Sequence, residues 1–189
     1  ASPYGYGLYM NYCYGVVDKM TEITANTIIG GCSYVAYLYE CYSNNGLSTA
    51  DVLFANNELI QTGNSNTYVV RQYNGGKWHN VNNSIINTGV CSYMIYKSTS
   101  QTAGLNFSNN IIANLGTCTY PLYVTSLTAT YIGNIDYNNY WQGNATGVAY
   151  WGSAYTDLPA WKAAHTNINA HSVAIHPMFL DSTKNAIPS

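Results

Sequence analysis

Apolar and polar residues along this chain come in short bursts of alternation and not at helical spacing. Segments such as "YVAYLY" (Tyr34–Tyr39) and "SYMIY" (Ser92–Tyr96) place aromatic and β-branched residues as a short, half-buried strand would. Between the bursts an asparagine-led motif returns, as "NNELI" from Asn56, "NNSII" from Asn82 and "NNIIA" from Asn109. The pair Leu59–Ile60 recurs as Ile85–Ile86 and Ile111–Ile112, two steps of 26, and Ile28–Ile29 stands 31 residues earlier. An asparagine precedes each pair by two places: Asn26, Asn57, Asn83 and Asn109. Further upstream, "YMNYCY" (Tyr9–Tyr14) matches "YLYECY" (Tyr37–Tyr42) at a step of 28. A looser copy, "GNIDYNNYW" from Gly133, sets Ile135 in register with Ile111.

The chain thus holds about five or six units of roughly 24 to 31 residues, the period of a solenoid. Units rich in Tyr, Ile, Val, Thr and Asn are strands, which excludes helical repeats, and they lack the leucine ladder of leucine-rich repeats. The expected fold is all-β: a parallel β-helix whose coils stack about 4.8 Å apart. Asparagine suits it in two ways, by tolerating left-handed turns and by bonding to its own copies above and below. A single domain is expected, with coils over 1–141 and a closing region with a short helix over 142–189.

Stacking turns the repeat into columns. Met10, Leu38, Val69, Ile95 and Leu122 form an aliphatic column that reads as core, and Leu59, Ile85 and Ile111 form another. Tyr9, Tyr37, Tyr68 and Met94 flank the first column on one side, and Tyr39, Val70, Tyr96 and Tyr123 on the other, so alternation turns the tyrosines outward. Tyr37, Tyr39, Tyr68, Tyr73, Trp78, Tyr96 and Tyr123 are the expected binding residues, fit for stacking on sugars or for lateral contact with another subunit. A solvated sheet that uses tyrosine only for its β-propensity is the plainer alternative.

Composition narrows the setting. Charged residues are 7% of the 189, Tyr numbers 20 and the net charge is -2. No basic footprint for nucleic acid exists, and no apolar run reaches the roughly 18 residues of a membrane span. So little charge points to the cell surface or exterior. Beginning at Ala1 without a signal peptide, the sequence reads as a processed protein or a piece of a longer one.

Candidate chemistry is sparse. "RQYNGGKWHN" (Arg71–Asn80) gathers Arg71, Lys77 and His79 around a Gly-Gly turn and is the best catalytic candidate, though a plain excursion between coils, with His79 inward and Trp78 outward, fits it too. The eight acids are scattered. Counting 14 residues from each repeat asparagine aligns Glu40, Arg71 and Lys97 as a surface salt-bridge column. His165, His171 and His176 have no metal-site spacing, and no cofactor motif occurs. Cys13 and Cys41 are 28 apart and Cys91 and Cys118 are 27 apart, each pair in matching context. Stacked coils would bring both pairs within disulfide reach in an oxidising compartment, or leave them as thiol ladders. Cys32 has no equivalent and is expected to be a free, buried thiol.

"GNIDYNNYW" followed by "LPAWKAAHTNINAHSVAIHPMFLD" (Leu158–Asp181) resembles the closing region of right-handed parallel β-helix proteins of the pectate-lyase-like superfamily. The resemblance implies a right-handed coil, a Trp-bearing helix, a structural turn around His171–Ser172 and a secreted or surface location. Asn169 and His176 stand where relatives carry aspartate. Such folds host lyases, hydrolases and non-catalytic surface proteins. The function expected is an extracellular structural or adhesive module contacting glycans through its tyrosines, the competing class being a polysaccharide lyase or glycoside hydrolase. With no amphipathic helix ahead of the first coil, a head-to-tail contact with a neighbouring subunit or domain is expected at that end.

Overall fold

The computed structural model describes residues 5–15, 19–41, 51–64, 67–98, 105–125, 132–181 and 185–188. After β1 (Tyr6–Asn11), strands follow in triplets. The first is β2 (Thr21–Thr24), β3 (Thr27–Gly30) and β4 (Tyr34–Tyr39). The next are β5 (Asp51–Ala55), β6 (Glu58–Gln61) and β7 (Tyr68–Tyr73), then β8 (Lys77–Val81), β9 (Ser84–Asn87) and β10 (Tyr93–Ser98). The last are β11 (Leu105–Ser108), β12 (Ile111–Asn114) and β13 (Tyr120–Val124), then β14 (Ile132–Asp136), β15 (Asn139–Trp141) and β16 (Ala149–Trp151). Equivalent strands pair in parallel and build three sheets: β1-β4-β7-β10-β13-β16, β2-β5-β8-β11-β14 and β3-β6-β9-β12-β15. The protein is a parallel β-solenoid, as the repeat predicts, closed by the short β17 (Ala154–Tyr155) and the helix α1 (Leu158–Ala164), after which β18 (Phe179–Asp181) and β19 (Asn185–Pro188) form a separate hairpin.

The asparagine doublet does two separate jobs. Its first member takes the left-handed turn between two sheets: Asn56, Asn82 and Asn109 all have φ of 56°, and Ala25 and Tyr137 hold the same place in the flanking coils. Its second member is a buried rung. Asn26, Asn57, Asn83 and Asn110 each donate both the main-chain N–H and the carboxamide Nδ2 to Oδ1 of the next rung, at 2.8–3.1 Å, ending on Asn138. From Asn57 onward, Nδ2 also reaches back to a main-chain carbonyl of the preceding coil: Ile23, Phe54, Asn80 and Phe107. The carboxamides are therefore satisfied by repetition, and the five rungs together span four full turns.

This settles a register slip. The rung after Asn83 is Asn110 and not Asn109, so Ile112 pairs with Ile85, Ile111 with Ser84 and Asn139 with Ile111. Ile135 stacks on Phe107 instead. Doublets of Asn and of Ile look alike after a slip of one residue, which hides the error in the letters.

The inward columns also differ from the expected ones. In the first sheet, positions two, three and five of β4, β7 and β10 point inward and the pairing skips position two, so strict alternation fails there. Leu8, Ala36, Val70, Ile95, Leu122 and Ala149 form one column; Met10, Leu38, Gln72, Lys97, Val124 and Trp151 form another. The expected Met10–Leu38–Val69–Ile95–Leu122 stack therefore mixes three columns. Its last four members are buried nonetheless.

At the corner after the third sheet, coils touch backbone to backbone. A Cβ on Gly63, Gly89 or Gly116 would fall 2.0–2.5 Å from the glycine one coil earlier, so no larger residue fits without moving the coils apart.

The far end is closed. Asp157 caps α1 by accepting from the Ala160 N–H at 2.8 Å. The helix buries Leu158 and Trp161, the latter lying 5.4 Å from Tyr140 and 5.6 Å from Trp151 between ring centres. Ser172 terminates the rungs: its Oγ accepts from the Asn138 N–H at 3.0 Å and donates to Asn169 Oδ1.

Candidate functional site

The outward positions of the first sheet are one, four and six of each strand, and tyrosine dominates them. Position one runs Tyr6, Tyr34, Tyr68, Tyr93, Tyr120; position four runs Tyr9, Tyr37, Arg71, Tyr96, Tyr123, Tyr150; position six brings Tyr39 onto Tyr73. Ring centres along and between the columns are 4.1–6.3 Å apart, as in Tyr68–Tyr96 at 4.5 Å, Tyr93–Tyr123 at 4.1 Å and Tyr123–Tyr150 at 4.4 Å, most of them stacked. The tyrosines do face outward, though their columns are not those expected: Tyr68 stacks with Tyr34 and Tyr93, while Val70 and Met94 point into the core. Burial against neighbouring rings pushes the hydroxyls of Tyr37, Tyr68, Tyr93 and Tyr123 up, so each stays a neutral donor and acceptor.

Arg71 interrupts the fourth-position tyrosines. Its guanidinium lies 4.8 Å from the Tyr37 ring centre, 5.2 Å from Tyr73 and 5.7 Å from Tyr68 and Tyr96. Nη1 is 3.5 Å from the Tyr34 hydroxyl, and among the described residues no carboxylate pairs with the guanidinium. The expected Glu40–Arg71–Lys97 column does not form, because loops of unequal length offset the three. Glu40 instead accepts from Asn74 Nδ2 at 3.2 Å, and Lys97 points inward.

Lys77 and His79 lie beyond the Asn74–Gly75–Gly76 corner on the second sheet, apart from Arg71. There His79 stacks between Leu53 and Asn106; its Nδ1 is 2.8 Å from Asn106 Nδ2, and its Nε2 is shielded from solvent, 3.2 Å from Asp51 Oδ1 but out of line for a hydrogen bond. So placed, the imidazole has no nitrogen open to a substrate. Trp78 is the reverse of the expected binding residue: with Val52 and Leu105 above and below, it is fully buried and donates from Nε1 to the Asn74 carbonyl at 3.2 Å. The period-two pattern of β8 turns Trp78 and Asn80 in and Lys77, His79 and Val81 out.

His171 is held in the closing turn. Asp136 accepts from its main-chain N–H and faces its Nδ1, each at 2.6 Å, and Tyr137 stacks on the ring at 4.7 Å. Burial would raise the Asp136 carboxyl, but these bonds outweigh it and hold it below the usual range. All five cysteines are thiols. Cys13 sits against Cys41, whose thiol burial and that neighbour push up to about 12, and Cys91 bonds to Cys118 and, with burial, raises it. Cys32 is half-buried and its Sγ donates to the Tyr34 carbonyl at 3.1 Å.

Sequence reasoning missed two features. The arginine caged by tyrosines was legible only as one departure in a Tyr-x-x-Tyr pattern, and the buried Lys97 only as a charge in an apolar column. Among the described residues no three His, Cys, Asp or Glu side chains gather as metal ligands, and no helix is long and apolar enough to cross a membrane. Comparison of the chain with protein-family models, with curated proteins and with solved structures finds no match.

Proposed function

We propose that this protein is an extracellular structural or adhesive module that contacts glycans through its tyrosine face. The observation that carries the reading is the continuous array of half-exposed tyrosines from Tyr6 to Tyr150, neutral except for Arg71, on a rigid sheet. Sugar rings stack on such faces while the rim of hydroxyls bonds to theirs. The low charge and the tail's resemblance to secreted β-helix proteins of the pectate-lyase-like superfamily support an exterior setting. A lyase or hydrolase reading needs an exposed acid and base side by side. The separation of Arg71 from His79, the shielded His79 Nε2, and the use of the mostly buried Asp136 carboxylate in holding the His171 turn favour binding.

Binding to a glycan array tests this, with the Tyr96→Ala/Tyr123→Ala variant beside the wild type. Two lost stacking contacts are worth about 1–3 kcal/mol, a loss of roughly 5- to 150-fold in affinity. Wild-type protein that binds no glycan overturns the reading, and release of shortened sugars on incubation assigns the enzymatic one instead.

A further inference from the structure

All five cysteines are thiols, so no disulfide joins one coil of the solenoid to the next. The outer face of the first sheet carries a second kind of group able to bond covalently across coils. Two phenols couple once each has lost an electron and a proton, and coupling is favoured where the rings are already held together.

The closest tyrosine pairs among the described residues are Tyr93–Tyr123 at 4.1 Å between ring centres, Tyr123–Tyr150 at 4.4 Å and Tyr68–Tyr96 at 4.5 Å, with ring planes 11–18° apart. Each pair joins neighbouring coils: β10 to β13, β13 to β16 and β7 to β10. The parallel register sets this up, because it stacks rings in line and leans a position-one ring onto the position-four ring of the next strand. All five rings are half-exposed, so a small oxidant or its enzyme meets them at the surface. Burial against neighbouring rings raises the hydroxyls of Tyr68, Tyr93 and Tyr123, so each is oxidised as a neutral phenol that gives up its proton with its electron.

We propose that these three pairs are sites of oxidative dityrosine formation, which staples neighbouring coils along the outer face of the first sheet. The oxidant is a peroxide acting through a one-electron peroxidase. Each phenol loses one electron and its hydroxyl proton. The two phenoxyl radicals then join by a carbon–carbon bond between ring carbons ortho to the oxygens, and the hydrogens on those carbons move to the oxygens as new hydroxyls. The two electrons and two protons removed reduce one hydrogen peroxide to two waters. Side-chain rotation, rapid for rings at the surface, brings the ortho carbons together.

Tyr137 separates stacking from mere exposure. It is 55% exposed, yet among the described residues its ring lies against His171 and against no tyrosine. The test is treatment of the dilute full chain with peroxidase and hydrogen peroxide, then reduction, digestion and mass mapping of linked peptides, beside Tyr123→Phe and Tyr137→Phe. Links Tyr93–Tyr123, Tyr123–Tyr150 and Tyr68–Tyr96 are expected within one chain. Tyr123→Phe keeps the ring and removes only the hydroxyl; because Tyr123 serves two of the three pairs, dityrosine fluorescence should fall about threefold. Tyr137→Phe should leave it unchanged. Absence of dityrosine within the chain, links that run through Tyr137 or only between molecules, or undiminished fluorescence from Tyr123→Phe would each overturn the proposal.

Discussion

Replacing Lys97 by methionine will stabilise the protein, most of all in mild acid. Lys97 stands in a column whose other members include Leu38, Val124 and Trp151, and only 1% of its surface is exposed. Its Nζ donates to the Asn74 carbonyl at 3.2 Å and lies 5.4 Å from the Trp78 ring centre. No carboxylate pairs with it among the described residues, and the undescribed segments 42–50 and 99–104 contain none. Burial therefore lowers its pKa from an ordinary 10.5 to about 7. In the unfolded chain the amine still holds its proton up to about 10.4. Between these values the unfolded state binds a proton that the folded state does not, so stability rises with pH through the window and the penalty is complete below its lower edge. At about 1.4 kcal/mol per unit, the penalty is of order 5 kcal/mol. Urea unfolding should show wild-type stability climbing from pH 6 to 9.5, while K97M is flatter and more stable at pH 6. Parallel profiles for the two proteins would contradict this account.

Asn83→Ala should be the most destabilising single change on the rungs. It leaves the buried Asn57 N–H without its acceptor and the Phe54 carbonyl without its donor, and it removes a support from the Asn57 carboxamide. Each orphaned buried group costs about 1–3 kcal/mol, so a total near 4 kcal/mol is expected. Asn82→Ala, one residue earlier, touches only the exposed left-handed turn and should cost about 1 kcal/mol. Unfolding midpoints of the two variants, at unchanged m-value, separate the two jobs of the doublet. Equal losses would show that they are not distinct.

That doublet also marks how much of the molecule the letters carry. The solenoid, the stacking of Leu59 on Ile85 and the outward tyrosines were legible because each follows from a residue type repeated at one place in a coil, while the short helix with Trp161 was expected only from the resemblance of the tail. Register failed where neighbours were identical: Asn109 and Asn110 differ only in backbone, one left-handed and one a rung. The facing of Trp78 and His79 failed for a related reason. Alternation gives two opposite answers until the strand's phase is fixed, and Gly75–Gly76 hides that phase at the corner. Lys97 and Gln72 were unreadable as interior residues because nothing local says that a polar side chain turns inward. Only the columns, once aligned by the rungs, place them there.

The central claim, that the tyrosine face is the glycan-contact surface, is tested most directly by footprinting tyrosine iodination with and without a glycan identified on the array. The account predicts that bound glycan protects rings of the array, such as Tyr93, Tyr96, Tyr123 and Tyr150, and leaves the exposed Tyr137 beside His171 unchanged. Protection of Tyr137 with the array still reactive would contradict it and move the contact to the closing end of the solenoid.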